Sequence, residues 1–442
     1  MKLACIGPLS PLRTGVADFT ERLLPYLSER CDITLFTDGY APSRTPILSK
    51  YAWADIEEYL SEPSAFDATL YHMGNHYRYH RRVFEALARV PGVVLLHDCV
   101  LNQFFAKYAL ERGRFETFRG LFELCYPGHA DTQLGPFFEG RGEPYRYPMA
   151  GAVALCARGT IVMNEYARNV VLREAANAAV AKVNFPYFES GREAVPREIP
   201  RKWGIPASSY VIVSVGHITP AKRIDVAVRA FRKLRETYRD SYFLLAGEMS
   251  GRACRADFSA DDNIRYLGYL EASELDALMT RADVCINLRY PSNGEMSMTL
   301  MEMLGRGKPV IVSNYAQFAE FPDETCIKVD LGPNESDDLA ERLLELSCDK
   351  ELRRKIGEAA RAHVGAYHSP REAADSIVKF IEERSRAAPV LSRDKLAGIL
   401  QADGPLSRHS HMIRYNIRRL LAYMREYGMA HTLREGVRRT RV

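Results

Sequence analysis

The sequence predicts two α/β domains in tandem with a helical extension behind them, and three observations carry this expectation. The chain has 442 residues, too many for one ordinary domain and about right for two of roughly 190 residues plus an extension. Short β-branched runs alternate with helical patterns at 2–6, 32–36, 68–71, 93–96, 160–163 and 182–185, the mark of a parallel sheet with helical crossovers. The pattern restarts after Pro206, with strand-like runs at 210–215, 242–246, 264–267, 284–288, 310–313 and 326–329. The boundary falls near 186–206, giving domains over 1–190 and 205–370.

Each remaining element has its own reason. The stretch 114–147 breaks the alternation and is rich in aromatics, Gly and Pro, so it reads as an inserted loop or helical lid that serves acceptor binding. Ser369-Pro370 opens a helix over 371–386, expected to cross back to the first domain. Residues 387–407 hold two prolines and read as a linker. The helical tail at 411–441 sets Ile413, Ile417, Leu420, Leu421 and Met424 on one face and Arg414, Arg418 and Arg425 on another.

Composition narrows the class. Hydrophobic residues make up 47% and charged residues 26%, close to folded cytoplasmic averages. No run approaches the ~18 apolar residues of a spanning helix. Gly7-Pro8 ends the first apolar run before a secretory core forms, so a soluble cytoplasmic protein is expected. The nine cysteines are scattered and form no Cys-x-x-Cys, which argues against a disulfide framework or zinc knuckle. Net charge is +4, yet residues 401–442 hold nine Arg against three acids. The body is therefore slightly acidic, which excludes a nucleic-acid-binding role for it.

Two segments carry chemistry. In the first, Tyr290-Pro-Ser-Asn-Gly-Glu-Met-Ser-Met-Thr-Leu-Met-Glu-Met-Leu-Gly-Arg-Gly-Lys-Pro-Val310, a small-residue loop runs into a helix. Gly294 and Ser297 feed a helix N-terminus whose unpaired N–H groups and positive dipole end suit a diphosphate. Glu295 is expected at the helix mouth and Glu302 about two turns inside, where carboxylates accept hydrogen bonds from sugar or ribose hydroxyls; an N-terminal helix charge and a solvated residue is the plain alternative. The second segment, Val215-Gly-His-Ile-Thr-Pro-Ala-Lys-Arg-Ile-Asp225, follows the first strand of the second domain. Ligands bind beyond strand carboxyl ends in such sheets. Lys222 is then a natural phosphate clamp, although a Lys-Arg pair before a helix is more often a solvated turn.

Together with the Gly7-Pro-Leu-Ser-Pro-Leu-Arg-Thr-Gly-Val-Ala-Asp18 loop, Pro91-Gly-Val-Val-Leu-Leu-His-Asp98, Asn263-Ile-Arg-Tyr-Leu-Gly268 and Ala319-Glu-Phe-Pro-Asp323, these segments make residues 1–386 resemble the family-4 retaining glycosyltransferases of the GT-B fold. The resemblance implies two Rossmann-like doubly wound domains facing across a cleft. It implies a nucleotide-sugar donor and a glycan or lipid-linked acceptor in surface polysaccharide synthesis. Lys222 would hold the donor diphosphate, Glu302 the ribose, and Glu295 with the Met296 and Ser297 amides the donor sugar and diphosphate. His97 would reach the transferred sugar, and Gly15 would let backbone approach a substrate closely. Two departures stand out. Only six residues separate Glu295 from Glu302, where the family has seven and Gly294 holds the expected place. His217 stands where the family often has an Arg, so Arg223 or Arg289 would take over.

No Asp-x-Asp is present, so Lys222 and helix amides are expected to neutralise the leaving diphosphate without a metal or other cofactor. Enzymes of this kind are thought to react on one face, the leaving phosphate deprotonating the acceptor. His72, His76 and His80 recur every four residues, but the segment turns at Gly74-Asn75. Asn75 and His76, with Asp18, are read as acceptor-side residues rather than metal ligands. The arginine-rich tail is expected to hold an anionic membrane surface, with packing on the body as its plain alternative. A non-hydrolysing nucleotide-sugar epimerase and a silent glycan-binding scaffold are the rival functions.

Overall fold

The computed structural model describes residues 1–138, 141–189, 203–249 and 263–402, with 416, 417 and 421. It divides into two compact units. The first comprises Met1–Pro186, Asn293–Met296 and the chain from Pro370 through 402; the second comprises Tyr187–Ser292 and Ser297–Ser369.

In the first unit the order is β1 (Lys2–Ile6), α1 (Gly15–Leu27), β2 (Asp32–Thr37), β3 (Ala52–Asp55), α2 (Ile56–Ser61), β4 (Ala68–Met73), α3 (Tyr77–Arg89) and β5 (Val93–Leu96). Then come α4 (Asn102–Tyr108), α5 (Phe115–Cys125), α6 (Ala130–Phe138), α7 (Ala150–Cys156), β6 (Gly159–Val162), α8 (Glu165–Glu174) and β7 (Val180–Lys182). Among the described residues the strands form one parallel sheet in the order β3-β2-β1-β4-β5-β6-β7. The chain thus winds outward in both directions from β1 and β4, which makes the crevice beyond their carboxyl ends the switch point. β3 escapes the sequence pattern because it is an edge strand with Trp53 exposed. The last strand begins at Val180 rather than 182, pairing with Thr160.

Side chains alternate across this sheet. Ala4, Ile6, Tyr71, Met73, Val94 and Leu96 pack with the apolar faces of α3, α4, α5 and α7.

The stretch 114–147, expected as an inserted loop or helical lid, is helical over α5 and α6, and its aromatics join the core. Phe118, Phe122, Tyr126, Phe137 and Tyr147 stack edge and face within 6.5 Å of one another, and Leu121 and Leu134 are fully buried. Burying so much aromatic surface fixes these helices in place.

In the second unit the order is β8 (Tyr210–Val215), α9 (Ile224–Thr237), β9 (Ser241–Ala246), β10 (Ile264–Gly268), α10 (Ala272–Arg281), β11 (Val284–Asn287) and α11 (Met298–Gly305). β12 (Val310–Ser313), β13 (Ile327–Val329), α12 (Glu335–Cys348) and α13 (Lys350–Tyr367) follow. The strands are again parallel, ordered β10-β9-β8-β11-β12-β13, with the switch point at β8 and β11.

The chain ends its described part in the first unit, with α14 (Pro370–Arg384) and α15 (Arg393–Leu400). α14 buries Ile377, Val378 and Ile381. Residues 387–402 are not the expected linker. Leu391 N–H donates to Leu155 O at 2.8 Å, Leu391 and Leu396 join the core, and Gly120 leaves just enough room for Ile399. The short apolar face Leu391, Leu396, Ile399 supplies the burial that holds the segment down. The expected tail helix, apart from residues 416, 417 and 421, lies outside the described residues, as do Cys254, Asp261 and Asp262. Among the described cysteines none is disulfide-bonded.

Candidate active site

The second unit gathers polar groups at its switch point. β8 ends at Val215 and the chain turns at Gly216, whose φ of +120° favours glycine, while its carbonyl leaves no room for a side chain at Gly247. A 3-10 turn, Pro220–Lys222, then delivers Lys222, only 8% exposed, with its ammonium over the Gly216 Cα. Lys222 Nζ donates to Asn287 Oδ1 at 3.3 Å, and Asn287 Nδ2 donates to Ser297 Oγ at 3.2 Å. Ser297 is the N-cap of α11: its Oγ accepts from Leu300 N–H at 3.2 Å and lies 3.0 Å from Thr299 Oγ1. Tyr290 N–H donates to Ala221 O at 2.8 Å, tying the β11 loop to the lysine turn. A buried ammonium beside a helix N-terminus has the charge and donors that suit an anion. His217 is exposed here, its ring only partly shielded. Burial holds its imidazole below the ordinary value, Lys222 adding to that and Glu248 opposing it.

Two carboxylates and one arginine differ from expectation. The mouth of α11 is Ser297, not Glu295, because Gly294 turns the chain at φ +77°. Glu295 bends back instead, its Oε2 accepting from Asn293 N–H at 3.0 Å. Glu302 is the fifth residue of α11, little more than one turn in, and its carboxylate lies 3.6 Å from Arg306, which also binds Asp276. Arg223 caps α9 at φ +53° and grips Glu335 with both Nε, at 3.0 Å, and Nη2. Glu335 is only 2% exposed, so this guanidinium is committed to a carboxylate inside the chain.

The first unit has its own cluster. Gly15 is the first residue of α1, capped by Thr14, and a Cβ there would meet nothing within 4 Å; no contact among the described residues requires glycine at this point. Asp18 and His76 are exposed, and His76 stacks on Tyr79 at 4.3 Å. Asn75 N–H donates to Asp98 Oδ2 at 2.9 Å. His97 N–H donates to Met73 O at 2.8 Å, and its ring packs edge-on against Phe19. His97 Nε2 lies 3.1 Å from His72 Nδ1, which lies 3.0 Å from Thr20 Oγ1. Thr20 gives its own hydrogen to Val16 O at 2.7 Å, so its remaining role is acceptor and the hydrogen between the two belongs to His72 Nδ1. Burial lowers the His72 pKa to about 3 and the His80 pKa to about 4, and takes His97 well below its ordinary value. All three are neutral at pH 7, and the His72 and His80 Nε2 atoms have no hydrogen-bond partner among the described residues.

The loop Asn293–Met296 is packed into this unit. Cys99 N–H donates to Asn293 O at 2.7 Å and Asn164 Nδ2 donates to Gly294 O at 2.9 Å. Glu295 and Met296 therefore belong with His97, Asp98 and Asn75, while Ser297, Lys222 and His217 form the other cluster. Asn287 escaped the sequence reading, which quoted Thr299 and Asp98 only within motifs and set His72 aside as a metal ligand. The available signal was a polar residue closing or interrupting an otherwise apolar strand, as Asn287 does after Val284-Cys285-Ile286.

Two doubly wound parallel sheets with polar switch points are the architecture of the GT-B glycosyltransferases. The structure of HepE from Anabaena in complex with UDP and glucose aligns over 87% of this chain and 100% of its own, with TM-score 0.60 at 14% identity. That of WaaG, a glycosyltransferase involved in lipopolysaccharide biosynthesis, covers 85% and 99%, with TM-score 0.58 at 17% identity. Within that class, residues 196–363 match the family described as Glycosyl transferases group 1. YqgM of Bacillus subtilis strain 168, an uncharacterized glycosyltransferase, is 22% identical over 393 residues, 86% of this chain and 98% of its own length. The chain has the GT-B fold, and its residues 196–363 match the group 1 glycosyl transferases. These matches do not favour the epimerase and scaffold readings.

Proposed function

We propose that this glycosyltransferase takes a sugar from a nucleoside-diphosphate donor with retention of configuration and without a metal ion, and passes it to a glycan or lipid-linked acceptor. One observation carries the reading: a buried ammonium, Lys222, held over Gly216 and linked through Asn287 to the N-cap of α11. That array supplies a full positive charge and helix amides where a diphosphate leaves, which is the main catalytic demand of glycosyl transfer. UDP and glucose in HepE support a nucleotide-sugar donor here, and the role of WaaG supports an acceptor in surface polysaccharide synthesis.

Glu302 is assigned to the donor ribose. Glu295 is assigned to the transferred sugar, together with His97, whose ring is neutral. Exposed Asp18 and His76, with Asn75, are assigned to the acceptor. Arg223 supports the fold through Glu335, which leaves the diphosphate to Lys222 and His217.

The test is hydrolysis and transfer with a panel of UDP-, GDP- and dTDP-sugars, wild type against Lys222→Ala. Removing the ammonium should raise the barrier by ~3 kcal/mol, roughly a hundredfold in rate. Activity within threefold of wild type would remove Lys222 from the site. Glu302→Gln should act mainly on donor KM. Turnover should persist in EDTA, and complete loss restored by manganese would overturn the metal-free reading.

A further inference from the structure

Lys222 does not hold its position alone. We propose that Asn287 is the positioning residue of the donor site, its carboxamide fixing the Lys222 ammonium against the capped N-terminus of α11; this rests on Lys222 being the diphosphate ligand.

Asn287 closes β11 and is 2% exposed, after three apolar residues that are also buried. A buried carboxamide is costly unless both its ends are bonded, and here both are. Oδ1 accepts from Lys222 Nζ at 3.3 Å and Nδ2 donates to Ser297 Oγ at 3.2 Å. Ser297, 7% exposed, already accepts from Leu300 N–H in capping α11. The chain of contacts therefore runs from the turn after β8, through the end of β11, to the first turn of α11, across the switch point.

The chemistry of the side chain matters as much as its reach. Asparagine carries an acceptor and a donor on one short neutral group. Its oxygen orients the ammonium without cancelling the charge, so that the charge remains for phosphate. An aspartate of the same shape would form an internal ion pair with Lys222 and compete with the ligand. It would also lose the N–H that Ser297 accepts, so that contact would persist only if Ser297 turned its own hydroxyl hydrogen toward the carboxylate.

The experiment is isothermal titration of UDP, GDP and dTDP into wild type, Lys222→Ala, Asn287→Asp and Asn287→Ser, with thermal melts in parallel. For whichever nucleotide binds wild type, Lys222→Ala should abolish measurable binding. Asn287→Asp should weaken it by at least ~30-fold, the scale of a charge-assisted hydrogen bond, with Tm little changed. Asn287→Ser, which keeps neutrality but loses reach, should weaken it by about 5-fold. If Lys222→Ala loses binding while folded Asn287→Asp stays within threefold of wild type, the positioning role is wrong and the lysine assignment stands. If Lys222→Ala binds as wild type does, the diphosphate reading itself fails. Should the Asp variant not fold, unchanged affinity in the Ser variant overturns the proposal.

Discussion

Gly294→Ala should detach the Asn293–Met296 loop from its seat, and the size of the effect can be worked from the coordinates. At φ +77° an L-residue costs about 1–2 kcal/mol. A Cβ there would overlap Cys99 Sγ, lying roughly 1 Å or more inside the ~3.5–4.0 Å optimum, while its distances to the Tyr166 ring and the Cys99 Cβ, 3.4 and 3.5 Å, are near ordinary contact. The loop therefore has to lift. Lifting breaks the hydrogen bonds from Cys99 N–H to Asn293 O and from Asn164 to Gly294 O, each worth about 1 kcal/mol. The docked state should lose about 2–3 kcal/mol, which is roughly 30- to 150-fold in hydrogen-exchange protection of the Cys99 amide. Cys99→Ala in the same chain removes the overlapping sulfur and leaves only the backbone cost, so the double variant should regain about 1 kcal/mol, roughly 5-fold in protection. Unchanged protection of Cys99 in Gly294→Ala, or an additive double variant, would refute the argument that the sulfur and the glycine share one space.

Three further outcomes are expected. Stability should fall between pH 7.5 and 5.5, because unfolded imidazoles take up protons near 6.5 while His72 (about 3), His80 (about 4) and His97 refuse them in the folded state. The unfolded chain then binds more protons, so stability present above about pH 6.5 is lost on acidification, by at most ~1.4 kcal/mol per pH unit for each histidine; equal urea midpoints at the two pH values would contradict this. Glu335→Ala strands Arg223, and since that arginine is a quarter exposed the cost should be about 2 kcal/mol, a fall of roughly 5 °C in the melt of the second unit; a shift under 1 °C would mean solvent replaces the pair. Full-length protein should float with anionic liposomes at low salt while a chain ending at Ala402 should not, the cut being placed after α15 because that helix belongs to the first unit; identical flotation would clear the tail of an anchoring role.

Periodicity alone determined a good deal of this protein. Runs such as 210–215 and 310–313 are apolar throughout because both faces of a parallel sheet are covered, and that pattern survives in one dimension. The placing of Lys222, His217, His97 and the Gly294–Ser297 loop beyond strand carboxyl ends was legible for a related reason, topology fixing where such residues fall, while the roles given to them came from the family resemblance. What the sequence could not decide depends on partners distant along the chain. Trp53's strand exists only because β2 offers it an edge, and 391–399 is core only because α5 leaves space at Gly120. Arg223 and Lys222 are neighbours in a basic pair, yet one turns to Glu335, 112 positions away, and the other to Asn287. Which partner each charge takes is set by those contacts, because desolvation makes a buried charge answer to whatever group the tertiary structure brings within hydrogen-bonding distance.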